Sequence, residues 1–188
     1  MDNVKPLYLF VGRASSGKET QGKLLAEKLS IPLFATGAEF RKIIASGSPL
    51  GQRIKATYDA GLLMPTWVAD YMFEDFVFNL PPETGAVFEG SGRDLGQAQT
   101  IEKVCTWLGR PFVVFNLVVS PEVVVARSLA RARDATDSEE AVKVRLQEYD
   151  RLTAPAIDYF HTIGVCVDID GEQSIETIHA EIMKHIKE

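Results

Sequence analysis

The segment Gly12-Arg13-Ala14-Ser15-Ser16-Gly17-Lys18-Glu19-Thr20 decides the fold of this chain. It follows the apolar run from Leu7 to Val11, typical of a strand buried on both faces, and leads into a helical pattern from Lys18 to Leu29. In this context, consecutive backbone N–H groups and a helix N-terminus bind phosphate, and a lysine adds positive charge. The strict motif has Ser or Thr directly after the lysine, whereas here Glu19 precedes Thr20. We predict a phosphate-binding loop, the alternative being an ordinary glycine-rich turn.

Apolar runs and helical patterns alternate along the rest of the chain. The further predicted strands are Leu33-Phe34, Ala86-Val87-Phe88, Phe112 to Val119 and Val165 to Ile169. Helices are also predicted over 37–46, 50–60, 95–108 and from an N-cap at Thr66 to Asn79, and another begins at Ser120-Pro121. A helix from Val142 toward Phe160 is expected to bend at Pro155. The last helix has an apolar stripe made by Ile175, Ile178, Ile182 and Ile186. This alternation predicts a single three-layer α/β domain over residues 1–188, with a central five-stranded parallel sheet.

Composition excludes several classes of protein. The 188 residues are 46% hydrophobic and 24% charged, which excludes a disordered chain. No apolar run reaches the roughly 20 residues of a membrane helix, and no signal peptide is evident. With 20 Lys and Arg against 26 Asp and Glu, the net charge of −6 argues against a general nucleic-acid or membrane surface. An anionic ligand therefore needs a local cluster of positive charge.

The remaining cysteines, aromatic residues and histidines carry no motif. Cys105 and Cys166 show no metal or disulfide spacing, so we predict small core residues and a reducing cytoplasm. Trp67 and Trp107 are predicted to be packing aromatics. The three histidines, His161, His179 and His185, lie late in the chain, away from every motif. His179 and His185 are predicted to be exposed on the last helix.

The chain resembles the adenylate kinase family of nucleoside monophosphate kinases. Gly17-Lys18-Glu19-Thr20-Gln21 is similar, at four of five places, to the family's Gly-Lys-Gly-Thr-Gln. Other family segments follow in order: Thr36-Gly37 with Arg41, Gly61-Leu62-Leu63-Met64-Pro65, Glu89-Gly90-Ser91-Gly92-Arg93 with Gln97-Ala98, Arg127 with Arg131, Glu139-Glu140, Arg145, Tyr149, Thr153-Ala154-Pro155 and Asp170-Gly171. The resemblance covers nearly the whole chain and implies the P-loop NTPase fold.

The resemblance implies transfer of the γ-phosphoryl group of MgATP to AMP, giving two ADP. Implied ATP-binding residues are Gly12, Ser15, Ser16, Gly17, Lys18, Glu19, Thr20, Arg127 and Arg131. Implied AMP-binding residues are Thr36, Arg41, Met64, Gly90, Arg93, Gln97, Arg133 and Arg145. Catalysis falls to Lys18, Arg93, Arg131 and Arg145. The acceptor is a phosphate oxygen already largely ionised, so charge neutralisation by arginine suffices without a general base.

The resemblance also implies individual roles and mobile parts. Arg127 stacks on the ATP adenine, and Gln97 with Thr36 favours AMP over a pyrimidine nucleotide. Glu89 holds Mg²⁺ through water, where the family has Asp. Residues 35–64 form an AMP-binding lobe and 128–141 a short lid that lacks a four-cysteine zinc pattern. A monomer with no nucleic-acid or membrane partner is expected.

Several positions depart from the family pattern. Ala14-Ser15 replaces Pro-Gly, and Glu19 places negative charge beside phosphates. Ser91-Gly92 replaces Phe-Pro, and losing this proline is expected to leave Arg93 less firmly placed. The alternatives are therefore a CMP- or UMP-type kinase on the same fold, and a catalytically weak nucleotide-binding protein.

Overall fold

The structure, a computed structural model, describes residues 4–60, 62–131 and 138–186. Five strands are present in this part of the chain: β1 (Leu7–Gly12), β2 (Leu33–Ala35), β3 (Ala86–Glu89), β4 (Phe112–Val118) and β5 (Cys166–Asp170). The α-helices are α1 (Lys18–Leu29), α2 (Thr36–Ala45), α3 (Pro49–Asp59), α4 (Thr66–Phe78), α5 (Leu95–Trp107), α6 (Pro121–Arg131), α7 (Glu139–Glu148), α8 (Ala154–Thr162) and α9 (Ile175–Met183).

The strands form one parallel sheet in the order β2-β3-β1-β4-β5. The α/β class and the five-stranded parallel sheet predicted from the sequence are therefore confirmed. β1 lies at the centre, and its residue Phe10 is in register with Glu89 at the end of β3. The segments that follow β1 and β3 consequently start side by side at the carboxyl edge of the sheet, where ligands bind in open α/β folds.

The two faces of the sheet bury separate cores. Leu7, Leu9 and Val11 of β1 face a cluster with α4, α5 and α8, whereas Tyr8 and Phe10 face a cluster with α1 and α9. This alternation follows from the two-residue period of a strand, and it explains why β1 is apolar at every position. The result is the predicted three-layer arrangement of helices, sheet and helices.

Two smaller clusters lie beyond the sheet and support the cavity described below. Phe40, Ile54, Met64 and Val68 join α2 and α3 to α4. Val119, Val124 and Val142 join the end of β4 to α6 and α7. Each helical region at the carboxyl edge therefore has an apolar core of its own.

The structure corrects or refines three local expectations. Thr66 is the first residue of α4 rather than its cap, and its hydroxyl donates to Asp94 Oδ2 at 3.0 Å. The helix expected to bend at Pro155 is interrupted by a π-helical turn, Tyr149–Thr153, because a proline in the first turn of α8 lacks the N–H of a continuous helix. The prediction of packing tryptophans is wrong, since Trp67 is 69% and Trp107 78% exposed.

Among the residues that the structure describes, each helix is too short or too polar to cross a lipid bilayer.

Candidate active site

A cavity of about 600 Å³ opens at the carboxyl edge of the sheet. Positively charged side chains line it from several separate elements, namely Lys18, Lys23, Arg41, Arg93, Arg127, Arg131 and Arg145. In a chain with a net charge of −6, this is the local positive cluster that an anionic ligand needs. Every described residue that the sequence analysis assigned to the site lines this cavity. Arg133, Gly61 and the centre of the expected lid lie outside the described residues.

The segment 12–20, which runs from the last residue of β1 into the first turn of α1, is here called the β1 loop. Gly12 has φ +128°, and a Cβ there would lie 2.6 Å from the carbonyl oxygen of Leu117 on β4. Gly17, directly before α1, has φ +100°. Both positions therefore require glycine, because other residues rarely adopt these angles and the first also lacks space. The loop leads directly into the N-terminus of α1, as expected of a phosphate-binding turn.

Lys18 folds back onto the β1 loop. Its Nζ donates to the carbonyl oxygens of Gly12 at 3.0 Å and Arg13 at 2.5 Å, and the residue is only 6% exposed. Burial, which removes water from the ammonium group, lowers the pKa of Lys18 to about 7. The carboxylate of Glu89 opposes this shift, and three arginines of the cavity support it. A bound phosphate would favour the charged form of this lysine.

Ser15 stands where the family has glycine, and its backbone keeps the left-handed conformation, φ +55°. Its hydroxyl lies 2.7 Å from the hydroxyl of Ser128, a fully buried residue on α6. A serine in this conformation is strained, and the hydrogen bond between the two hydroxyls offsets part of that strain. The β1 loop thus keeps a glycine-like shape without the glycine.

Glu19 lies in the first turn of α1 and lines the cavity. Its Oε1 is 2.8 Å from Nζ of Lys23, one helical turn further on. The expected repulsion between Glu19 and phosphate is therefore weakened, because an ion pair rather than a lone carboxylate stands beside the loop.

Arg13, which the sequence analysis did not assign, fastens the β1 loop to its surroundings. Its Nη1 donates to the carbonyl oxygen of Val119 at 2.9 Å, and its Nη2 lies 3.3 Å from Oδ1 of Asp150. Its guanidinium carbon lies 4.5 Å from the ring centroid of Tyr149, a cation–π contact. The signal available in the sequence was an arginine inside a glycine-rich turn, but its partners are more than 100 residues away.

The segment after β3, residues 90–94, is here called the β3 loop, and it carries Arg93. Gly90 has φ +87°, and a Cβ there would lie 2.7 Å from Nη2 of Arg93. The same Nη2 is 3.7 Å from Oε1 of Glu89. Gly90 therefore leaves the space in which the guanidinium lies across the end of β3.

Gln97 and Thr153 hold the backbone of Arg93 from both sides. Oε1 of Gln97 accepts from the N–H groups of Gly92 at 3.1 Å and Arg93 at 3.0 Å, and Thr153 Oγ1 donates to the carbonyl oxygen of Arg93 at 2.8 Å. The loss of the family's proline is thus compensated, because glycine supplies an N–H that proline lacks. The expectation that Arg93 is less firmly placed finds no support in these contacts.

The predicted base-reading role of Gln97 is constrained by the same contacts. Gln97 is 4% exposed, and its Nε2 donates to Asp94 Oδ2 at 2.8 Å. With both lone pairs of Oε1 occupied by backbone N–H groups, the amide has one N–H left for another partner. Its geometry identifies Gln97 first as a residue that positions the β3 loop.

Thr36 and Arg41, predicted to contact AMP, lie on α2 and line the cavity. The hydroxyl of Thr36 is 3.3 Å from that of Ser91 in the β3 loop. Nη1 of Arg41 donates to the hydroxyl of Tyr58 on α3 at 3.1 Å. Tyr58 is a further lining residue that the sequence analysis missed, since nothing in the local pattern around it marks a site.

Arg127, Arg131 and Arg145 line the side of the cavity formed by α6 and α7. Nη1 of Arg127 donates to the carbonyl oxygen of Gly171, directly after β5, at 2.9 Å. Arg131 follows Arg127 by one helical turn, as predicted, and both have access to the same cavity. The structure thus gathers all three arginines beside the β1 loop.

The cavity also offers oxygen ligands suited to a divalent cation. Glu89 is buried at the end of β3, and Thr20 lies in the first turn of α1. Both line the cavity together with the β1 loop. Carboxylate and hydroxyl oxygens are hard donors of the kind that Mg²⁺ prefers, so the residues present fit that ion.

Comparison with known proteins gives one consistent result. The sequence profile of the adenylate kinase family matches residues 10–165. The adenylate kinase of Stenotrophomonas maltophilia strain R551-3 is 36% identical over 183 residues, which cover 95% of this chain and 98% of that relative. Adenylate kinase 1 of Synechocystis is 36% identical over 180 residues, covering 95% and 96%. The adenylate kinase of Thermobifida fusca is 34% identical over 183 residues, covering 95% and 97%.

Proposed function

Because the chain belongs to the adenylate kinase family, we propose that it transfers the γ-phosphoryl group of MgATP to AMP and releases two ADP. In this reaction an oxygen of the AMP phosphate forms a bond to the γ-phosphorus. The bond from that phosphorus to the β,γ-bridging oxygen breaks, and the bridging oxygen leaves as part of ADP. The acceptor oxygen is already ionised near neutral pH, so no side chain has to remove a proton.

The observation that carries this proposal is the convergence of cationic side chains on the cavity. Lys18, Arg93, Arg131 and Arg145 come from four different elements and line the same space. Phosphoryl transfer spreads negative charge over the donor, the acceptor and the phosphoryl group that is being transferred. Fixed positive charge in a partly dry cavity stabilises that distribution, and the common cavity aligns the two nucleotides.

In this proposal each of the two loops binds a different nucleotide. The β1 loop with Lys18, supported by Arg127 and Arg131, binds the ATP phosphates and adenine. The β3 loop with Arg93, supported by Arg41, binds the AMP phosphate, and planar guanidinium groups suit that bidentate contact. Arg145, which lines the same cavity, binds AMP in this proposal and acts in the transfer step.

Magnesium enters this site with ATP as the MgATP substrate. The residues that would hold it are Glu89, through water, and the hydroxyl of Thr20. Bound there, Mg²⁺ would offset the negative charge of the ATP phosphates.

Two mobile parts complete the proposal. Residues 35–64, with the apolar cluster around Phe40 and Ile54, form the AMP-binding lobe. Residues 128–141 form the lid, of which 128–131 and 138–141 lie within the described residues. Closure over both nucleotides excludes the water that would otherwise accept the phosphoryl group. We expect a monomer to be the active form.

The test is an acceptor panel with MgATP as donor and ADP formation as readout. AMP is expected to be the best acceptor, well ahead of CMP, UMP and GMP. Preference for CMP or UMP would identify a pyrimidine-type kinase. Tight MgATP binding without turnover on any acceptor would identify a nucleotide-binding protein that has lost catalysis. Omitting Mg²⁺ from the same panel is expected to abolish turnover.

A further inference from the structure

Three side chains with metal-binding chemistry meet on the far side of the sheet from α1 and apart from the cavity. They are His161, Cys166 and Asp168, and their ligand atoms all lie within 4.8 Å of one another. Nε2 of His161 is 3.2 Å from Oδ1 of Asp168. An imidazole, a thiol and a carboxylate thus form one compact group.

The fold fixes this group through a tight helix-to-strand turn. Gly164, with φ +74°, ends α8, and its N–H donates to the carbonyl oxygen of His161 at 3.0 Å. The next N–H, of Val165, donates to the carbonyl oxygen of Phe160 at 3.1 Å. This pair of bonds is the Schellman arrangement, and the fully buried Phe160 anchors it. The last turn of α8 is therefore held next to the start of β5.

Cys166 and Asp168 are two residues apart on β5, so their side chains lie on the same face of the sheet. β5 is an edge strand, with β4 as its neighbour. His161 and Asp168 are exposed, and Cys166 is partly buried. An ion can therefore reach the group directly from solvent.

Asn116 on β4 holds the carboxylate of Asp168 through a hydrogen bond. It pairs with Asp168 in the strand register, and its Nδ2 donates to Asp168 Oδ1 at 2.8 Å. Asn116 is only 5% exposed, and its Oδ1 is buried without a hydrogen-bond partner within the described residues. Second-sphere amides orient carboxylate ligands in this manner, and an orphaned buried oxygen marks a place for a water or an ion.

We propose that His161, Cys166 and Asp168 bind one divalent transition-metal ion of the zinc class. Nitrogen, sulfur and carboxylate donors are the ligand types of Zn²⁺, whereas Mg²⁺ takes oxygen ligands. Zn²⁺ bonds of about 2.0–2.3 Å place ligand atoms within about 4 Å of one another, so small rotations of these side chains suffice. Three protein ligands leave the fourth tetrahedral position to water.

Coordination converts the thiol to a thiolate and releases its proton to solvent. The bond then links the end of α8 to the edge strand β5. This site is separate from the nucleotide cavity, and metal binding here does not depend on phosphoryl transfer.

The probe is CoCl₂ added to the purified, fully reduced chain without nucleotide. Cobalt bound through Cys166 is expected to give a thiolate-to-cobalt charge-transfer band in the near ultraviolet, saturating at one ion per chain. Cobalt bound to Glu89 or other oxygen ligands gives no such band. ZnCl₂ is expected to displace the cobalt, abolish the band and raise the melting temperature.

Matched variants test the assignment. Cys166→Ala is expected to abolish the band and Cys105→Ala to preserve it. His161→Gln is expected to weaken cobalt binding at least about tenfold, whereas His185→Gln leaves it unchanged. Circular dichroism establishes that each variant is folded. The absence of a band at millimolar CoCl₂, or a band that survives Cys166→Ala, would overturn the proposal.

Discussion

The β1 loop and the β3 loop follow neighbouring parallel strands, and their departures from the family pattern are opposite, since the β1 loop loses a glycine and the β3 loop gains one. In the β1 loop Ser15 occupies a position where the family has glycine, and its backbone is strained at φ +55°. In the β3 loop a glycine occupies the position of a rigid proline, and Gly92 takes φ +77°. Serine in place of glycine adds backbone strain to the folded state, and glycine in place of proline adds conformational entropy to the unfolded state.

In each loop a side chain from a helix holds the backbone. Ser128 of α6 contacts the hydroxyl of Ser15, and Gln97 of α5 accepts from two N–H groups of the β3 loop. The comparison teaches that contacts from a helix side chain hold either kind of departure: Ser15 keeps a glycine-like left-handed backbone, whereas Gly92 adopts a φ that proline cannot. The experiments below perturb these contacts, or the charge of the loop, in one loop at a time.

The largest effect is expected from Lys18→Met, which removes the charge of the β1 loop. Loss of one positioned group that stabilises transition-state charge costs about 10²–10³-fold in kcat. Initial-rate kinetics with MgATP and AMP measure the loss, and the exposed Lys28→Met is the matched control. A kcat within a factor of about two of wild type would reject the role of Lys18 in phosphate binding.

The next effect is a pH dependence of ATP binding. Because the pKa of Lys18 is about 7 in the free protein, the amine is mostly neutral above that pH. Bound phosphate favours the ammonium form, so binding takes up a proton and the ATP affinity falls by up to about tenfold per pH unit above 7. The second pKa of a phosphate group is about 6, so the ligand titrates below this window.

Calorimetry at about pH 8, in two buffers with different ionisation enthalpies, measures this proton uptake. Wild type is expected to take up nearly one proton, and Lys18→Met none. Arg93→Met in the β3 loop is expected to retain most of the uptake, because burial, the main cause of the low pKa of Lys18, is unchanged. Equal heats in both buffers for wild type would contradict a neutral Lys18.

Much of this architecture was predictable from the sequence because its signals are local. The apolar runs of β1 and β4 and the glycine-rich turn report short-range physics, and the structure contains each of them. Contacts between distant residues left no such signal. The hydroxyl pair of Ser15 and Ser128 spans 113 positions, so no pattern in either segment shows it.

The errors have the same origin. Apolar composition predicts that a tryptophan packs, but the exposure of Trp67 and Trp107 depends on which helix face meets the sheet. His161 and Cys166 lie outside every motif, and only the turn at Gly164 together with the parallel pairing of β5 brings them together. Tertiary structure, not local pattern, creates that group.

A smaller effect is expected in the β3 loop from Gln97→Ala. The change leaves two backbone N–H groups without an acceptor, and one unsatisfied buried group costs about 1–3 kcal/mol. Arg93 is then less well positioned, and KM for AMP is expected to rise about tenfold while KM for ATP changes little. Steady-state kinetics and urea denaturation measure the two effects.

The same variant separates positioning from base reading. If Gln97 acts through Arg93 on the phosphate, as its hydrogen bonds favour, KM rises by a similar factor for AMP and for a pyrimidine monophosphate. A rise confined to AMP would instead show that Gln97 reads adenine. Gln52→Ala, an exposed change on α3, is the matched control for an amide outside the site.

The smallest effect concerns the strain in the β1 loop. In wild type, Ser15→Gly relieves about 1 kcal/mol of left-handed strain but loses a hydrogen bond of about the same value. In a Ser128→Ala background that bond is already absent, so Ser15→Gly is expected to stabilise the protein by about 1 kcal/mol. Urea denaturation of the four proteins measures the coupling. Ser30, with φ +54° at the end of α1, provides the control. Ser30→Gly is expected to stabilise the protein equally in both backgrounds. An identical response of Ser15→Gly in the two backgrounds would mean that the hydroxyl pair does not compensate for the missing glycine.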